Sequence, residues 1–182
     1  MENPRIHTPD RIVKRDCPLH RLALIIDRLN QGGAERQFIE LAGSLDRQQF
    51  ATSVIILHPE GDLITEIVKQ KDIQVMTVPR KNLLNTPLFL LNIYSALKKI
   101  RPDIIYGYMG GTNELCLIMA RLIHAKAIWG IRSSNMDLAH YGWRSQFLFR
   151  LGAVLSRYAD LLIINSFAGR DYYKAHVYTS ER

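Results

Sequence analysis

From position 22 onward the chain alternates between short aliphatic runs and segments in which apolar residues recur every three or four positions. The runs are 22–27, 51–57, 73–78, 103–108, 126–131 and 161–165, and each has the near-continuous apolar character of a strand covered on both faces. The intervening segments read as helices. The first starts near Ala34 and sets Phe38, Leu41, Ala42 and Leu45 on the face turned to the sheet. A short helix over 62–69 follows, and Pro87 opens a third that buries Leu90, Ile93, Tyr94 and Leu97 before Arg101-Pro102 stops it. The fourth, 113–123, is apolar nearly all round and is expected to be the most deeply buried. A fifth, 143–158, carries Phe147, Leu151, Val154 and Tyr158 on one stripe, and Ser166 is placed to cap a last helix.

Strands alternating with single crossover helices predict an α/β domain, a Rossmann-like doubly wound parallel sheet. Right-handed crossovers give the strand order 3-2-1-4-5-6, with a ligand crevice beyond the carboxyl ends of the strands. Function then belongs to the loops that follow the strands. Those loops bring Arg28, Arg80, Lys81, Arg132 and Arg170, with Arg36 one turn into the first helix. An anionic ligand is implied.

The 182 residues suit one such domain, and 47% hydrophobic with 23% charged residues is a globular composition. Residues 1–20 hold Pro4, Pro9 and Pro18 among scattered charges and read as a flexible polar extension, leaving 21–182 as the folded unit. No apolar run reaches the roughly 20 residues of a bilayer span. Cys17 and Cys116 are the only cysteines, one in the extension and one in an apolar helix, which favours a reducing, cytoplasmic setting. The net charge of +7 suits phosphorylated substrates or an anionic membrane face. Nucleic acid is not expected as a partner, since there is no long Lys/Arg block and no zinc spacing. Arg150 and Arg157 lie seven apart beside the apolar stripe of the fifth helix, which suggests peripheral contact with the inner face of a membrane.

The chemistry concentrates in a few turns. In Asp27-Arg28-Leu29-Asn30-Gln31-Gly32-Gly33-Ala34-Glu35-Arg36 a strand passes into a helix across a glycine pair. Gly32 and Gly33 either let a diphosphate approach the backbone N–H groups at the helix start, or serve a tight turn that needs positive φ. Neither a dinucleotide fingerprint nor a P-loop is present. After the fifth strand, Arg132 offers a cation for a phosphate or an acceptor, while Ser133, Asn135 and Asp137 offer the polar groups that sugar hydroxyls need. An ordinary solvated loop with Asx-type turns reads equally well there. Met109-Gly110-Gly111-Thr112-Asn113 after the fourth strand leaves backbone room for a substrate, or is a turn with Thr112 capping the next helix. No Asp-x-Asp, His-x-x-x-His or Cys-x-x-Cys occurs, so no metal site is expected.

Four segments in order complete a pattern: Gly32-Gly33-Ala34-Glu35-Arg36, Arg101-Pro102-Asp103-Ile104-Ile105, Trp129 to Asn135, and Leu155 to Asp160 with Asn165-Ser166. Together they resemble the amino-terminal domain of family 4 glycosyltransferases, from about Leu22 to the end. The resemblance implies one half of a GT-B enzyme of polysaccharide biosynthesis. Such an enzyme takes a nucleotide-diphosphate sugar as co-substrate, retains anomeric configuration and uses no metal or other cofactor. Gly32 and Gly33 would approach the donor diphosphate, and Asn113, Arg132, Ser133, Asn135 and Asp137 would line a glycan or lipid-linked acceptor. Relatives commonly carry a histidine in the loop after the fourth strand and this chain does not, so no catalytic residue is assigned. The donor-binding carboxy-terminal domain is expected to lie outside the 182 residues, and the chain alone is expected to be inactive. Two other readings stay open: a stand-alone phosphosugar or lipid-binding module, and an NAD-dependent oxidoreductase domain.

Overall fold

In the computed structural model, residues 19–70, 72–80, 85–132, 142–176 and 178 are described. Strands and helices alternate as β1 (His20–Ile26), α1 (Gly33–Ser44), β2 (Phe50–Ile56), α2 (Ile64–Val68), β3 (Gln74–Thr77), α3 (Thr86–Ile100), β4 (Ile104–Tyr108), α4 (Thr112–Ile123), β5 (Lys126–Ile131), α5 (Trp143–Ser156), β6 (Leu161–Ile164) and α6 (Phe167–Ala175). The six strands form one sheet in the order β3-β2-β1-β4-β5-β6. All five pairings are parallel. This is the expected doubly wound order, with the reversal between β1 and β4 where such folds open a crevice. The proposed polar extension lies almost wholly outside the described residues.

The two faces of the sheet carry separate cores, and β1 shows why. Leu22, Leu24 and Ile26 pack with Phe38, Ile39 and Ala42 of α1 and Ile67 of α2 on one side. Ala23 and Ile25 point the other way, into a core shared with α3, α4 and α5. Over residues 22–26, strand alternation with no polar side chain on either face is what forces helices onto both.

Four helices sit differently from the pattern read above; in α3 the buried residues are Phe89, Ile93, Ala96 and Leu97, with Leu90 and Tyr94 half-buried. In α1 the buried residues are Phe38, Ile39 and Ala42, with Leu41 only half-buried. Helix α4 is the most buried, from Thr112 through Ala120, yet Ile118 and Leu122 are half exposed. In α5 the bulky stripe faces outward. Phe149, Gly152, Ala153 and Ser156 are the buried side, and a Cβ on Gly152 would lie 2.7 Å from the Tyr178 hydroxyl and 3.1 Å from the Glu114 carboxylate of α4. Small residues let α5 press close, and close packing leaves Trp143, Phe147, Val154 and Tyr158 on the far side.

The amino edge of the sheet is closed by two carboxylates. Asp103 accepts from the backbone N–H of Arg21 at 2.8 Å and from its guanidinium at 2.7 Å, tying β4 to β1. The Arg21 hydrogen bonds hold the Asp103 pKa down at about 2. Asp160 accepts from the Ala127 N–H at 2.9 Å and from Lys126 at 3.1 Å, tying the start of β6 to β5. Burial pushes its pKa up, but the hydrogen bonds from Ala127 and Lys126 prevail and the net shift is downward. Two of the segments that carry the family resemblance therefore fasten the scaffold, at the edge away from the crevice.

Candidate functional site

At the carboxyl edge, α1 begins without a side-chain cap. Gly32 is its N-cap with φ −141° and ψ 159°, and no side chain bonds the free N–H groups of the first turn. Neither glycine of the pair has positive φ; among the described glycines only Gly61 and Gly111 do. The tight-turn explanation for the pair fails on that observation. Packing explains Gly32 only in part, since a Cβ there would meet the movable Glu35 carboxylate. At Gly33 a Cβ would meet nothing within 4 Å. Glycine at a helix position costs up to about 1 kcal/mol relative to alanine, and nothing in the fold requires it here. The N–H groups of Gly33, Ala34 and Glu35 remain as the open backbone at the helix start, whereas the Gly32 N–H donates to the Asn30 carbonyl at 2.9 Å.

Across the crevice, β4 and β5 supply a polar floor. Tyr106 and Tyr108 leave β4 on the α1 side, their rings 5.8 Å apart, and Phe38 meets Tyr108 edge-on at 5.0 Å. Gly130 of β5 makes this possible, because a Cβ there would stand 2.8 Å from the Tyr106 ring. Arg132, just past β5, donates to the Tyr106 hydroxyl at 2.7 Å and lies over the Tyr108 ring at 4.3 Å. Hydrogen bond and cation–π contact together aim a guanidinium that would otherwise be a loose surface charge. Burial pushes the Tyr108 pKa up to about 12 although Arg132 pulls it the other way. Tyr106 is raised for the same first reason. Both tyrosines are neutral hydroxyls throughout the physiological range.

The turn after β4 is built around Gly107, where a Cβ would collide with the Thr112 carbonyl at 2.6 Å and Asn113 Cα at 2.8 Å. Met109 and Gly111 take positive φ, of 76° and 82°. Gly111, not Thr112, is the N-cap of α4: Glu114 reaches back to accept from its N–H at 2.7 Å. Thr112 instead donates to the carbonyls of Tyr108 and Met109, each at 2.8 Å. Asn113 is buried and donates through Nδ2 to the Gly130 carbonyl at 3.2 Å. Its Oδ1, the Tyr108 hydroxyl and Arg132 Nε are all buried without a hydrogen-bond partner. Gln70 Oε1, Trp129 Nε1 and Arg157 Nε are orphaned elsewhere among the described residues; such atoms are costly, and those beside Arg132 are ones that a ligand or water would complete.

Of the residues expected at the site, Gly32, Gly33, Asn113 and Arg132 fall at this edge, whereas Ser133, Asn135 and Asp137 lie outside the described residues, as does Lys81. Arg170 is drawn aside by Asp171 at 3.0 Å and by the Phe167 ring. Ser166 caps α6 by accepting from the Gly169 N–H at 3.0 Å. A pair that was not anticipated joins them. Asp27 follows β1, His58 closely follows β2, and their side chains meet at 3.0 Å between Nδ1 and Oδ1. Thirty-one positions separate them, so only the adjacency of β1 and β2 could have revealed the contact. The end of β2 is where a nicotinamide site would need its ribose-binding acid. His58 tied to Asp27 holds that edge instead, and Glu60 is exposed beyond it. Among the described residues, no helix is long and apolar enough to cross a membrane.

The sequence model of Glycosyltransferase Family 4 matches residues 31–182. The chain belongs to glycosyltransferase family 4. No curated protein matches this family 4 domain by sequence. Among solved structures it is similar to Alr3699/HepE of Anabaena in complex with UDP-glucose, with a TM-score of 0.70 and 17% identity over 89% of this chain and 42% of that one. The HepE complex with UDP and glucose gives 0.69 and 16% over the same shares. MurG of Acinetobacter baumannii gives 0.51 and 19%, over 81% of this chain and 41% of that one. At such identities the likeness is one of fold, that of one half of a GT-B glycosyltransferase, and the chain spans about two fifths of the structures it matches.

Proposed function

We propose that this glycosyltransferase domain is the acceptor-side half of an enzyme that moves a sugar from a nucleotide-diphosphate donor to a glycan or lipid-linked acceptor. The reaction retains configuration, needs no metal or other cofactor, and occurs on the cytoplasmic side beside a membrane carrying the acceptor. The observation that carries the reading is Gly33, a glycine that neither backbone geometry nor packing requires, at an uncapped helix start. Its amides suit the diphosphate of a donor. Arg132 and the polar atoms of Asn113 and Tyr108 suit the hydroxyls and charge of an acceptor, and the family resemblance adds Ser133, Asn135 and Asp137 as acceptor-binding residues. HepE, solved with UDP-glucose, suggests a uridine nucleotide for the first trial.

In a GT-B cleft the reacting atoms meet between two domains. Positioning and electrostatic stabilisation of the leaving diphosphate supply most of the rate, and half a cleft lacks both. The test is a radiolabelled transfer assay with a panel of nucleotide sugars and lipid-extract acceptors, run on the 182-residue chain and on the chain fused to a family-type donor domain. Transfer is expected only from the fusion. In the fusion, Gly33→Val is expected to lower turnover by about a hundredfold or more, because the branched side chain occupies the space of the diphosphate. Clear turnover by the chain alone, or an unaffected Gly33→Val fusion, contradicts the reading.

A further inference from the structure

The start of α1 is held from one side. Residues 27–32 lead from β1 into the helix, and the turn between β2 and α2, residues 57–63, lies against them. His58 meets Asp27 twice. Its backbone N–H donates to the Asp27 carbonyl at 2.7 Å, and its Nδ1–H donates to the Asp27 carboxylate at 3.0 Å. Arg28 Nε donates to the other oxygen of that carboxylate at 3.3 Å. Further along the turn, the Leu63 N–H donates to the Leu29 carbonyl at 3.0 Å. Gly61 stands between the two ties with φ at 151°, and a Cβ on it would lie 2.4 Å from the Leu29 carbonyl oxygen and 3.2 Å from the Asn30 nitrogen. Backbone pressed on backbone this closely couples the two turns.

The side-chain tie adds little burial. The His58 side chain is 31% exposed and that of Asp27 42%, and pairs as open as this contribute little to stability. What the tie fixes is direction. Leu29 and Leu63 lock into the core that holds Phe38 of α1, and after Leu29 the chain makes one local bond, from the Gly32 N–H to the Asn30 carbonyl at 2.9 Å, before α1 begins. Among the described residues, the Leu63 bond is the only hydrogen bond that residues 28–31 receive from another part of the chain. The position of the β2–α2 turn therefore sets where the N–H groups of Gly33, Ala34 and Glu35 point, and a ligand held by such groups is sensitive to shifts of about 1 Å.

We propose that the turn between β2 and α2 is a clamp on the open start of α1, and that His58 and Gly61 are positioning residues for the donor diphosphate. Asp27 transmits the hold. Its carboxylate and its carbonyl both engage His58, and the same residue opens the segment that ends in Gly32-Gly33. His58 thus acts through the backbone and needs no contact with the donor. The use of the clamp rests on the diphosphate role of Gly33 proposed above, whereas the clamp itself is a property of the free chain.

The experiment follows the backbone amides of the isotopically labelled 182-residue chain by NMR, first free and then with UDP-glucose. His58→Ala is expected to speed hydrogen exchange at the Leu63 N–H about tenfold. It is also expected to weaken UDP-glucose binding about fivefold. His58→Asn, whose side-chain N–H can donate to Asp27 in place of Nδ1, is expected to restore both. Gly61→Ala drives a methyl into the Leu29 carbonyl and is expected to do more than His58→Ala; the two His58 variants carry the test if it folds poorly. Exchange at Leu63 that ignores His58→Ala overturns the proposal, as does a His58→Asn chain that behaves like His58→Ala. Exchange quickened by the same factor at Ile25 and Ile55 in the sheet core also overturns it, because the effect would then be one of global stability. A parent chain that binds UDP-glucose with an affinity unmoved by His58→Ala counts against this inference alone. A chain that shows the exchange effect and its rescue, but no UDP-glucose shift at Gly33, Ala34 or Glu35, counts against the proposed function and not against the clamp.

Discussion

The two edges of the sheet answer different demands. At the amino edge, Asp103 and Asp160 each accept from a neighbouring backbone N–H and from a cationic side chain, so the strand starts are pinned. At the carboxyl edge, α1 starts on uncapped glycines, and the Tyr108 hydroxyl, Asn113 Oδ1 and Arg132 Nε are buried without partners. Buried orphans also occur away from that edge, at Gln70 Oε1, Trp129 Nε1 and Arg157 Nε, so the contrast rests on the uncapped start of α1 and on the aimed Arg132 guanidinium. The contrast separates residues that hold the domain together from residues kept open for something else, and it divides the family's own motifs between the two.

Substitutions can break or sharpen this contrast. Arg132→Met in the two-domain fusion should have the largest effect, a loss of about two orders of magnitude in transfer, with thermal unfolding of the chain moved by only a few degrees. A melting temperature that collapses together with activity would return Arg132 to the scaffold. Gly107→Ala should do the reverse. Its Cβ would meet backbone of Thr112 and Asn113, which cannot swing aside, and overpacking of this kind costs about 1–3 kcal/mol. Urea denaturation should show it as a lowered midpoint.

Gly33→Ala should be smaller and of opposite sign for stability. Open space surrounds the added methyl, so unfolding free energy should rise by up to about 1 kcal/mol while donor binding weakens. Equal or improved donor binding would count against the diphosphate role. Asp103→Asn should have the smallest effect, and it depends on pH. The folded Asp103 pKa lies near 2 against an ordinary 3.8. The carboxylate therefore adds stability that is full above the ordinary value and is lost as pH falls toward about 2. Chemical denaturation should place the variant slightly below the parent at neutral pH and converging with it as pH falls through about 2. A gap that persists in acid would mean that the pairing with Arg21 is not its source.

The sheet order was legible because each strand is apolar at successive positions and each crossover is one helix long. The glycine pair was legible as a place, but its two meanings were not separable until the backbone showed no positive φ there. The inward face of α5 could not be read from spacing. Periodicity identifies a stripe, and the bulky stripe gives way to Gly152, Ala153 and Ser156 on the side where the Tyr178 hydroxyl and the Glu114 carboxylate leave no room for a larger side chain at 152. Tyr106 and Tyr108 read as strand residues, and their role in steering Arg132 depends on the space above Gly130. The Asp27–His58 pair needs the sheet to bring two strand ends together.

The account stands most directly on where a nucleotide sugar touches this domain. A titration of isotopically labelled chain with UDP-glucose, followed by amide NMR, addresses that without a second domain. Half a cleft should bind weakly, near millimolar or about 4 kcal/mol. Progressive shifts are predicted at the amides of Gly33, Ala34 and Glu35, with none at Asp103 or Asp160. Shifts confined to the amino edge, or none at the α1 start at saturating ligand, would contradict the claim that the carboxyl edge is held open for the donor.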